Sequence, residues 1–143
     1  MDTILAFDLG TGGVKAALFP AQGFPCLGEA FLEYPTVNTL GLPGVFEQRP
    51  EDWMDAVTAS ARAVIGQSGV SGDTVRAVAL SGHSLGVVAV DGQGKLLSEV
   101  TPLWSDTRAE KEAAEFFARV DEGEWYARTS NGFPRATYPI FKL

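Results

Sequence analysis

The chain has 143 residues, 45% hydrophobic and 20% charged, which is typical of one soluble globular unit able to bury a core. Its net charge of -7, without a basic cluster, argues against nucleic acid or an anionic membrane surface as a partner. The lone cysteine, Cys26, excludes an internal disulfide and is expected to be a small buried residue. No signal peptide or bilayer-length apolar run is visible, and together with the single cysteine this leads us to expect a cytoplasmic protein. The presence of one histidine excludes a multi-histidine metal site.

Residues 4–19 predict a strand, a glycine-rich turn and a second strand, with Asp8 at the mouth of the turn. Glycines lack a Cβ, so their backbone N–H groups can approach an anion closely. The glycines offer backbone N–H groups, the threonine a hydroxyl and the lysine an ammonium. The candidate phosphate-binding residues are therefore Gly10, Thr11, Gly12, Gly13 and Lys15. Asp8 is a candidate ligand for a hydrated divalent cation. The alternative is an ordinary hairpin in which Asp8 is only a strand-end residue.

Two familiar phosphate loops are excluded by the residues around this turn. The chain contains no G-x-x-x-x-G-K-S/T motif. A dinucleotide fingerprint needs a third glycine where Lys15 stands, followed by a helix, whereas residues 14–19 predict a strand. The loop is therefore expected to join two strands.

Residues 20–65 predict the rest of a meander and a helix. A turn at 20–23 leads to a third strand at 26–34, and a loop rich in Pro, Gly, Thr and Asn spans 35–49. The helix is expected to begin at Pro50, since proline suits a first helical turn, and to end within 66–73. Its apolar stripe consists of Trp53, Val57, Ala61 and Val64, widened by Met54 and Ile65.

Residues 75–80 predict a strand buried on both faces, because its apolar run carries no charge after Arg76. The polar turn 81–86 follows it, at the sheet's carboxyl edge, where ligands commonly bind in α/β folds. His83 and Ser84 in this turn could hydrogen-bond substrate hydroxyls. The alternative is a lone histidine in an ordinary loop contact.

Strands predicted at 87–90 and 96–100, joined by a turn at 91–94, lead to a third polar element. Trp104 could pack on a sugar ring while Asp106 accepts hydrogen bonds from its hydroxyls. A core tryptophan followed by a helix cap explains these residues equally well.

A capping box at 107–110 predicts a helix that ends at 121–123. One face of this helix is expected to bury Ala113, Phe116, Phe117 and Val120. Residues 140–143 predict the start of a further apolar helix. No internal repeat or low-complexity segment is present.

The segment DLGTGGVKAALF, residues 8–19, resembles the first phosphate motif of the actin-like ATPase superfamily, most closely its form in the FGGY carbohydrate kinases, xylulokinases in particular. The resemblance extends in order over 4–143. It implies an α/β fold of the actin-like, ribonuclease H-like type, with a mixed sheet and flanking helices. It also implies ATP and Mg²⁺ as cofactors, with the loop around the terminal phosphates and Asp8 near Mg²⁺. Residues 83–85 and Trp104 with its neighbours would contact the sugar.

The chain departs from the xylulokinase pattern at Gly82–Gly86. Xylulokinases resemble G-Q-M-H-G here, so the expected histidine position is Leu85, and His83 lies two places earlier. The Arg-Glu pair typical of glycerol kinases is also absent. We therefore expect a sugar or polyol substrate, a xylulose-like ketose first, with D-xylulose itself left open.

Because FGGY kinases are far longer, residues 1–143 are expected to form the N-terminal portion of the first domain. The expected reaction is transfer of the ATP γ-phosphoryl group to a sugar hydroxyl, which depends on positioning and charge neutralisation. The catalytic base is expected beyond Leu143, so the isolated chain is expected to be inactive. The expected partner is a small-molecule sugar or polyol, with a homodimer of the full-length protein left open. The alternatives are an actin-like ATPase without a sugar substrate and a non-catalytic fragment.

Overall fold

In the computed structural model, which describes residues 1–132 and 134–143, the chain divides into two compact units. Unit 1 comprises Met1–Pro35 and Arg49–His83, and unit 2 comprises Thr36–Gln48 and Ser84–Leu143. None of the helices in the described part of the chain combines the length and apolar character needed to cross a membrane.

The strands, in chain order, are β1 Thr3–Leu9, β2 Gly13–Pro20, β3 Gly28–Glu33, β4 Glu47–Gln48, β5 Val75–Gly82 and β6 Thr101–Pro102. The α-helices are α1 Pro50–Ser68, α2 Glu110–Phe117 and α3 Glu122–Thr129. Short 3₁₀ turns occupy Gly72–Thr74, Arg135–Thr137 and Pro139–Phe141.

Unit 1 is built on a four-stranded mixed sheet with the order β3-β2-β1-β5. β1 pairs antiparallel with β2, β2 pairs antiparallel with β3, and β1 pairs parallel with β5. The predicted strand–turn–strand, the third strand and the mixed sheet are therefore confirmed. A parallel partner beside β1 means that the carboxyl ends of β1 and β5 meet at one edge of the sheet.

One face of this sheet packs against α1 because apolar side chains alternate along the strands. The buried core consists of Leu5, Phe7, Val14, Ala16, Leu18, Tyr34, Ala56 and Val64. Burying one large aliphatic side chain contributes about 1.5–3 kcal/mol, so this layer dominates the stability of the unit.

The helix α1 begins at Pro50, as predicted, and its end at Ser68 lies within the predicted range 66–73. Gly66 lies inside the helix, because an interior glycine costs a helix only about 1 kcal/mol. The helix ends where Gly69 adopts a left-handed conformation with φ of 69°. The prediction that Met54 lies on the apolar stripe was wrong, because Met54 is exposed. The buried apolar residues in the middle of the helix are Ala56 and Val64.

The prediction that 75–80 is buried on both faces was wrong. β5 lies at an edge of the sheet and pairs with β1. Val78 and Leu80 on it are 63% and 70% exposed. The physical reason is that α1 packs mainly over β2 and β3 and leaves β5 uncovered. Cys26 in the same unit was also wrongly expected to be buried, since it is a free, exposed thiol.

Unit 2 holds the short antiparallel pair β4–β6 and an aromatic cluster. The cluster consists of Phe116, Phe117, Trp125, Tyr138 and Phe141, with neighbouring ring centroids 5.1–6.3 Å apart. Such edge-on and stacked contacts stabilise beyond simple area burial. The predicted burial of Ala113 is confirmed, and Phe116 and Phe117 are partly buried.

Strands predicted at 87–90 and 96–100 are replaced by an isolated bridge between Val90 and Leu96. The turn between them is confirmed, because the Gly94 N–H donates to the Asp91 carbonyl at 3.0 Å. The Asp91 side chain accepts from two further backbone N–H groups, which stabilises this turn.

The helix boundaries predicted in unit 2 were also wrong. The N-cap of α2 is Ala109, and the Thr107 hydroxyl donates to the Gly44 carbonyl at 3.4 Å instead of capping. Asp121 does not end a helix but begins α3, where its carboxylate accepts from the Glu124 N–H at 2.8 Å. The apolar helix expected at 140–143 is only the 3₁₀ turn Pro139–Phe141.

Candidate functional site

The predicted phosphate loop is the turn between β1 and β2. The register pairs Leu9 with Val14, and the Gly10 N–H donates to the Gly13 carbonyl at 2.9 Å. None of the glycines at 10, 12 and 13 has a positive φ. Left-handed backbone is therefore not the reason that this loop contains glycine.

Two glycines of the loop have opposite surroundings. A Cβ on Gly13 would lie 2.5 Å from the Leu32 carbonyl oxygen and 2.8 Å from the Phe31 ring, so β3 leaves no room for a side chain. A Cβ on Gly12 would meet none of the atoms that the structure describes within 4 Å. The described neighbours therefore do not require glycine at 12, and the backbone there is open to a close approach by a ligand.

Asp8 and Lys15 lie directly opposite each other on β1 and β2, and Ser81 on β5 is the neighbour of Asp8 on its other side. All three residues are exposed. A carboxylate, an ammonium and a hydroxyl therefore form one row across the sheet, next to the open loop. In the described parts of the chain no three His, Cys, Asp or Glu residues are grouped to hold a metal ion. A cation here would need most of its ligands from water or phosphate, which is how proteins usually bind Mg²⁺.

A residue that sequence reasoning missed is Tyr34, directly after β3. Its hydroxyl donates to the Gly10 carbonyl at 2.5 Å, and the side chain is buried. Burial raises the pKa of the Tyr34 phenol, and the charge of Asp8 raises it further. The meander order was the available signal, since an antiparallel third strand ends beside the turn between the first two.

His83 is attached to the end of β1. Its backbone N–H and its ring Nδ1 both contact the Leu9 carbonyl oxygen, at 2.9 and 3.1 Å. The ring also meets Trp53 edge-on, with centroids 5.4 Å apart. Since a carbonyl only accepts, Nδ1 carries the proton in this contact, and Nε2 is the acceptor of the neutral ring. The imidazole is thus fixed one residue from Asp8.

The other predicted substrate residues lie in unit 2. Ser84 is exposed, and Trp104 is 44% exposed, so Trp104 is not a core tryptophan. Asp106 is fully buried, and its carboxylate accepts from the Phe46 N–H at 2.9 Å and the Arg108 N–H at 3.0 Å. Both oxygens of Asp106 also contact the Arg108 guanidinium, at 2.9 and 2.8 Å.

Arg108 joins two buried carboxylates. Besides Asp106 it bonds Glu47, with Nη2 2.7 Å from Oε1. The other oxygen of Glu47 accepts from the N–H and the hydroxyl of Thr39, at 2.9 and 2.6 Å. Burial alone raises the pKa of each carboxyl, but the hydrogen bonds and the charge of Arg108 outweigh it, so the pKa values of Glu47 and Asp106 lie below their usual range. We call Glu47, Asp106 and Arg108 the ionic triad.

The structure therefore gathers the predicted residues into two groups. Unit 1 holds the glycine loop, Asp8, Lys15 and His83 around the carboxyl end of β1. Unit 2 holds Ser84, Trp104 and Asp106. The loop group combines the features of an anion site, whereas Asp106 has the contacts of a structural ion pair.

Comparison with known proteins covers nearly the whole chain. A family model described as the N-terminal domain of the FGGY family of carbohydrate kinases matches residues 3–143. A xylulose kinase of Bacillus subtilis is 31% identical over 108 residues, which are 76% of this chain and 21% of the relative. A glycerol kinase of Verminephrobacter eiseniae is 27% identical over 129 residues, 90% of this chain and 25% of the relative.

A solved structure described as a xyloylose kinase from Brucella ovis matches with a TM-score of 0.78 and 31% identity, over 96% of this chain and 26% of that one. The expected fold, that of the actin-like ATPases to which FGGY kinases belong, is thereby confirmed. The chain spans about a fifth to a quarter of the length of the curated relatives it matches.

Proposed function

Because this chain belongs to the FGGY family of carbohydrate kinases, we propose that the protein carrying it transfers the γ-phosphoryl group of ATP to a hydroxyl of a sugar or polyol. The observation that carries this proposal is the open loop between β1 and β2, flanked by Asp8 and Lys15. A xylulose-like ketose is our first candidate substrate, because a relative and a similar solved structure are described as kinases of that sugar. Residues 1–143 would form the N-terminal portion of the first domain.

The loop serves the phosphates in this proposal. The open backbone at Gly12, with Thr11 and Gly13 beside it, approaches the terminal phosphates, and Lys15 neutralises their charge. Gly10 shapes the turn, because its N–H and carbonyl are both bonded within the protein. Phosphoryl transfer depends on such positioning and charge neutralisation more than on covalent chemistry.

Asp8 would hold Mg²⁺ through water. The residue fits this role because it is exposed, lies beside the loop and faces the cation of Lys15 across the strand pair. Mg²⁺, when bound to the nucleotide, supplies charge neutralisation on the phosphate oxygens. A lone carboxylate is sufficient for a metal ion that retains several waters.

His83 in unit 1, and Ser84 and Trp104 in unit 2, would each be a candidate for contacting an acceptor sugar. The fixed ring of His83 offers Nε2 as an acceptor for a hydroxyl proton, and the exposed face of Trp104 suits an apolar sugar face. Asp106 was predicted to contact the sugar directly. Since its oxygens are engaged by Arg108 and Phe46, we assign it to fixing the segment that carries Trp104.

A sugar panel tests this proposal. We expect ADP release from Mg·ATP by the longer protein to depend on a ketose or polyol. Lys15→Ala should raise KM for ATP about 10- to 150-fold, since a hydrogen bond to a charged group contributes about 1.5–3 kcal/mol. Lys95→Ala, which removes an exposed lysine in unit 2, is the matched control and should leave KM within about twofold.

Two results would contradict the proposal. ATP hydrolysis unaffected by any sugar would favour an actin-like ATPase. Equal effects of the two lysine substitutions on KM would contradict a role of the loop in phosphate binding. For the 143-residue chain alone we expect no turnover, because it spans about a fifth of the length of the xylulose kinase relative.

A further inference from the structure

We propose that Tyr34 is a positioning residue for the phosphate loop, holding the Gly10 carbonyl so that the turn has its binding conformation before nucleotide arrives. Its effect on catalysis depends on the proposed kinase function. Its effect on the order of the loop does not, so the two can fail separately.

Tyr34 contacts the backbone of Gly10 directly. The Tyr34 hydroxyl donates to the Gly10 carbonyl at 2.5 Å, at the short end of the range for O–H···O bonds. The Gly10 N–H donates to the Gly13 carbonyl at 2.9 Å. Both polar backbone groups of Gly10 are therefore hydrogen-bonded, which restricts the conformational freedom of this glycine.

Residues in β3 and directly after it contact both ends of the loop. Tyr34 follows β3 and bonds Gly10, while the Leu32 carbonyl and the Phe31 ring close on Gly13. Gly12 lies between these two anchored positions, and a Cβ placed there would meet none of the described atoms within 4 Å. The anchors thus hold the turn on both sides of Gly12, the position that would approach a phosphate.

The surroundings of the Tyr34 hydroxyl keep it a hydrogen-bond donor. The phenol is buried beside the charge of Asp8, and its pKa lies above the usual value. Tyr34 therefore stays protonated at neutral pH and keeps its O–H for Gly10. A loop released from this bond would regain backbone freedom, and ordering one residue again on binding weakens affinity by about 5- to 30-fold.

The substitution that tests this is Tyr34→Phe, which keeps the ring and removes only the hydroxyl. Tyr138→Phe is the matched control, because Tyr138 is also buried and its hydroxyl also donates to a backbone carbonyl, that of Asn131, at 2.9 Å in unit 2. We expect amide hydrogen exchange of Gly10 in the 143-residue chain to rise at least about fivefold in Tyr34→Phe and to stay unchanged in Tyr138→Phe. Unchanged exchange at Gly10 in Tyr34→Phe would overturn the proposal.

The kinetic arm uses the longer protein. We expect Tyr34→Phe to raise KM for ATP about 5- to 30-fold while KM for the sugar changes less than about twofold. A merely structural role would lower the amount of active enzyme without this split, and equal changes in both KM values would overturn the proposal. If the wild-type protein phosphorylates no sugar, the kinase function fails, and the exchange experiment still decides the role of Tyr34.

Discussion

Arg108→Met removes the guanidinium that bonds two buried carboxylates, and its cost can be worked from the exposed fractions. Glu47 is 2% exposed and Asp106 is not exposed, whereas Arg108 is 28% exposed. Breaking a buried ion pair costs about 3–5 kcal/mol, because an uncompensated charge stays behind. Since water reaches one side of the guanidinium, we expect the lower end, about 3 kcal/mol.

Urea unfolding of the 143-residue chain, followed by tryptophan fluorescence, measures this cost. Trp104 and Trp125 report on unit 2. The control is Arg76→Met, whose partner Asp2 is 57% exposed and which should cost less than about 1 kcal/mol. Equal losses for the two substitutions would refute the reasoning that the ionic triad stabilises unit 2.

The pH dependence of the same variant follows from the lowered pKa values of Glu47 and Asp106. In the wild type, their stabilisation is complete above the unfolded pKa values of about 4 and is lost as pH falls through the lower folded values. Without Arg108 the buried carboxylates favour protonation instead. The stability difference between wild type and Arg108→Met should therefore shrink between pH 7 and about pH 4. A difference that grows on acidification would contradict this account.

Further substitutions test the loop and the core by urea unfolding. Gly13→Ala should destabilise by about 1–3 kcal/mol, because its Cβ collides with β3, whereas Gly12→Ala should stay within about 0.5 kcal/mol. Similar losses at both positions would show that the loop is packed differently. Leu18→Ala in the core should cost about 2–5 kcal/mol, and Val78→Ala on exposed β5 less than about 0.5 kcal/mol. A Val78→Ala loss near that of Leu18→Ala would mean that β5 is covered in solution.

Local patterns were enough to predict the opening hairpin of unit 1 and the start of its helix. The strand–turn–strand at 4–19 and the helix start at Pro50 follow from alternation, glycine and proline, each of which acts over a few residues. The prediction that β5 is buried failed, because an apolar run alone does not show which strands a helix will cover. The prediction of full strands at 87–90 and 96–100 failed, because the pairing there is limited to a bridge between Val90 and Leu96 beside the turn that Asp91 stabilises.

The site divides in the same way. Asp8, Lys15 and the glycines were found because they are adjacent in sequence or opposite in the predicted hairpin. The role of Asp106 in a buried ion-pair network could not be predicted from the sequence. The network includes Glu47, which lies 61 residues from Arg108 and meets it only in the tertiary fold. The contact of Tyr34 with the loop could be predicted only with the register of β3 against β2 in hand. Contacts across such distances are fixed by packing and not by local sequence.

The most direct test of the kinase proposal is the fate of the phosphoryl group. Phosphorus NMR of the longer protein with Mg·ATP and a panel of ketoses and polyols distinguishes a sugar phosphate ester from inorganic phosphate. We expect at least one acceptor to yield one ester per ADP, with little inorganic phosphate. Inorganic phosphate as the product with every acceptor, and no ester with any, would contradict the account.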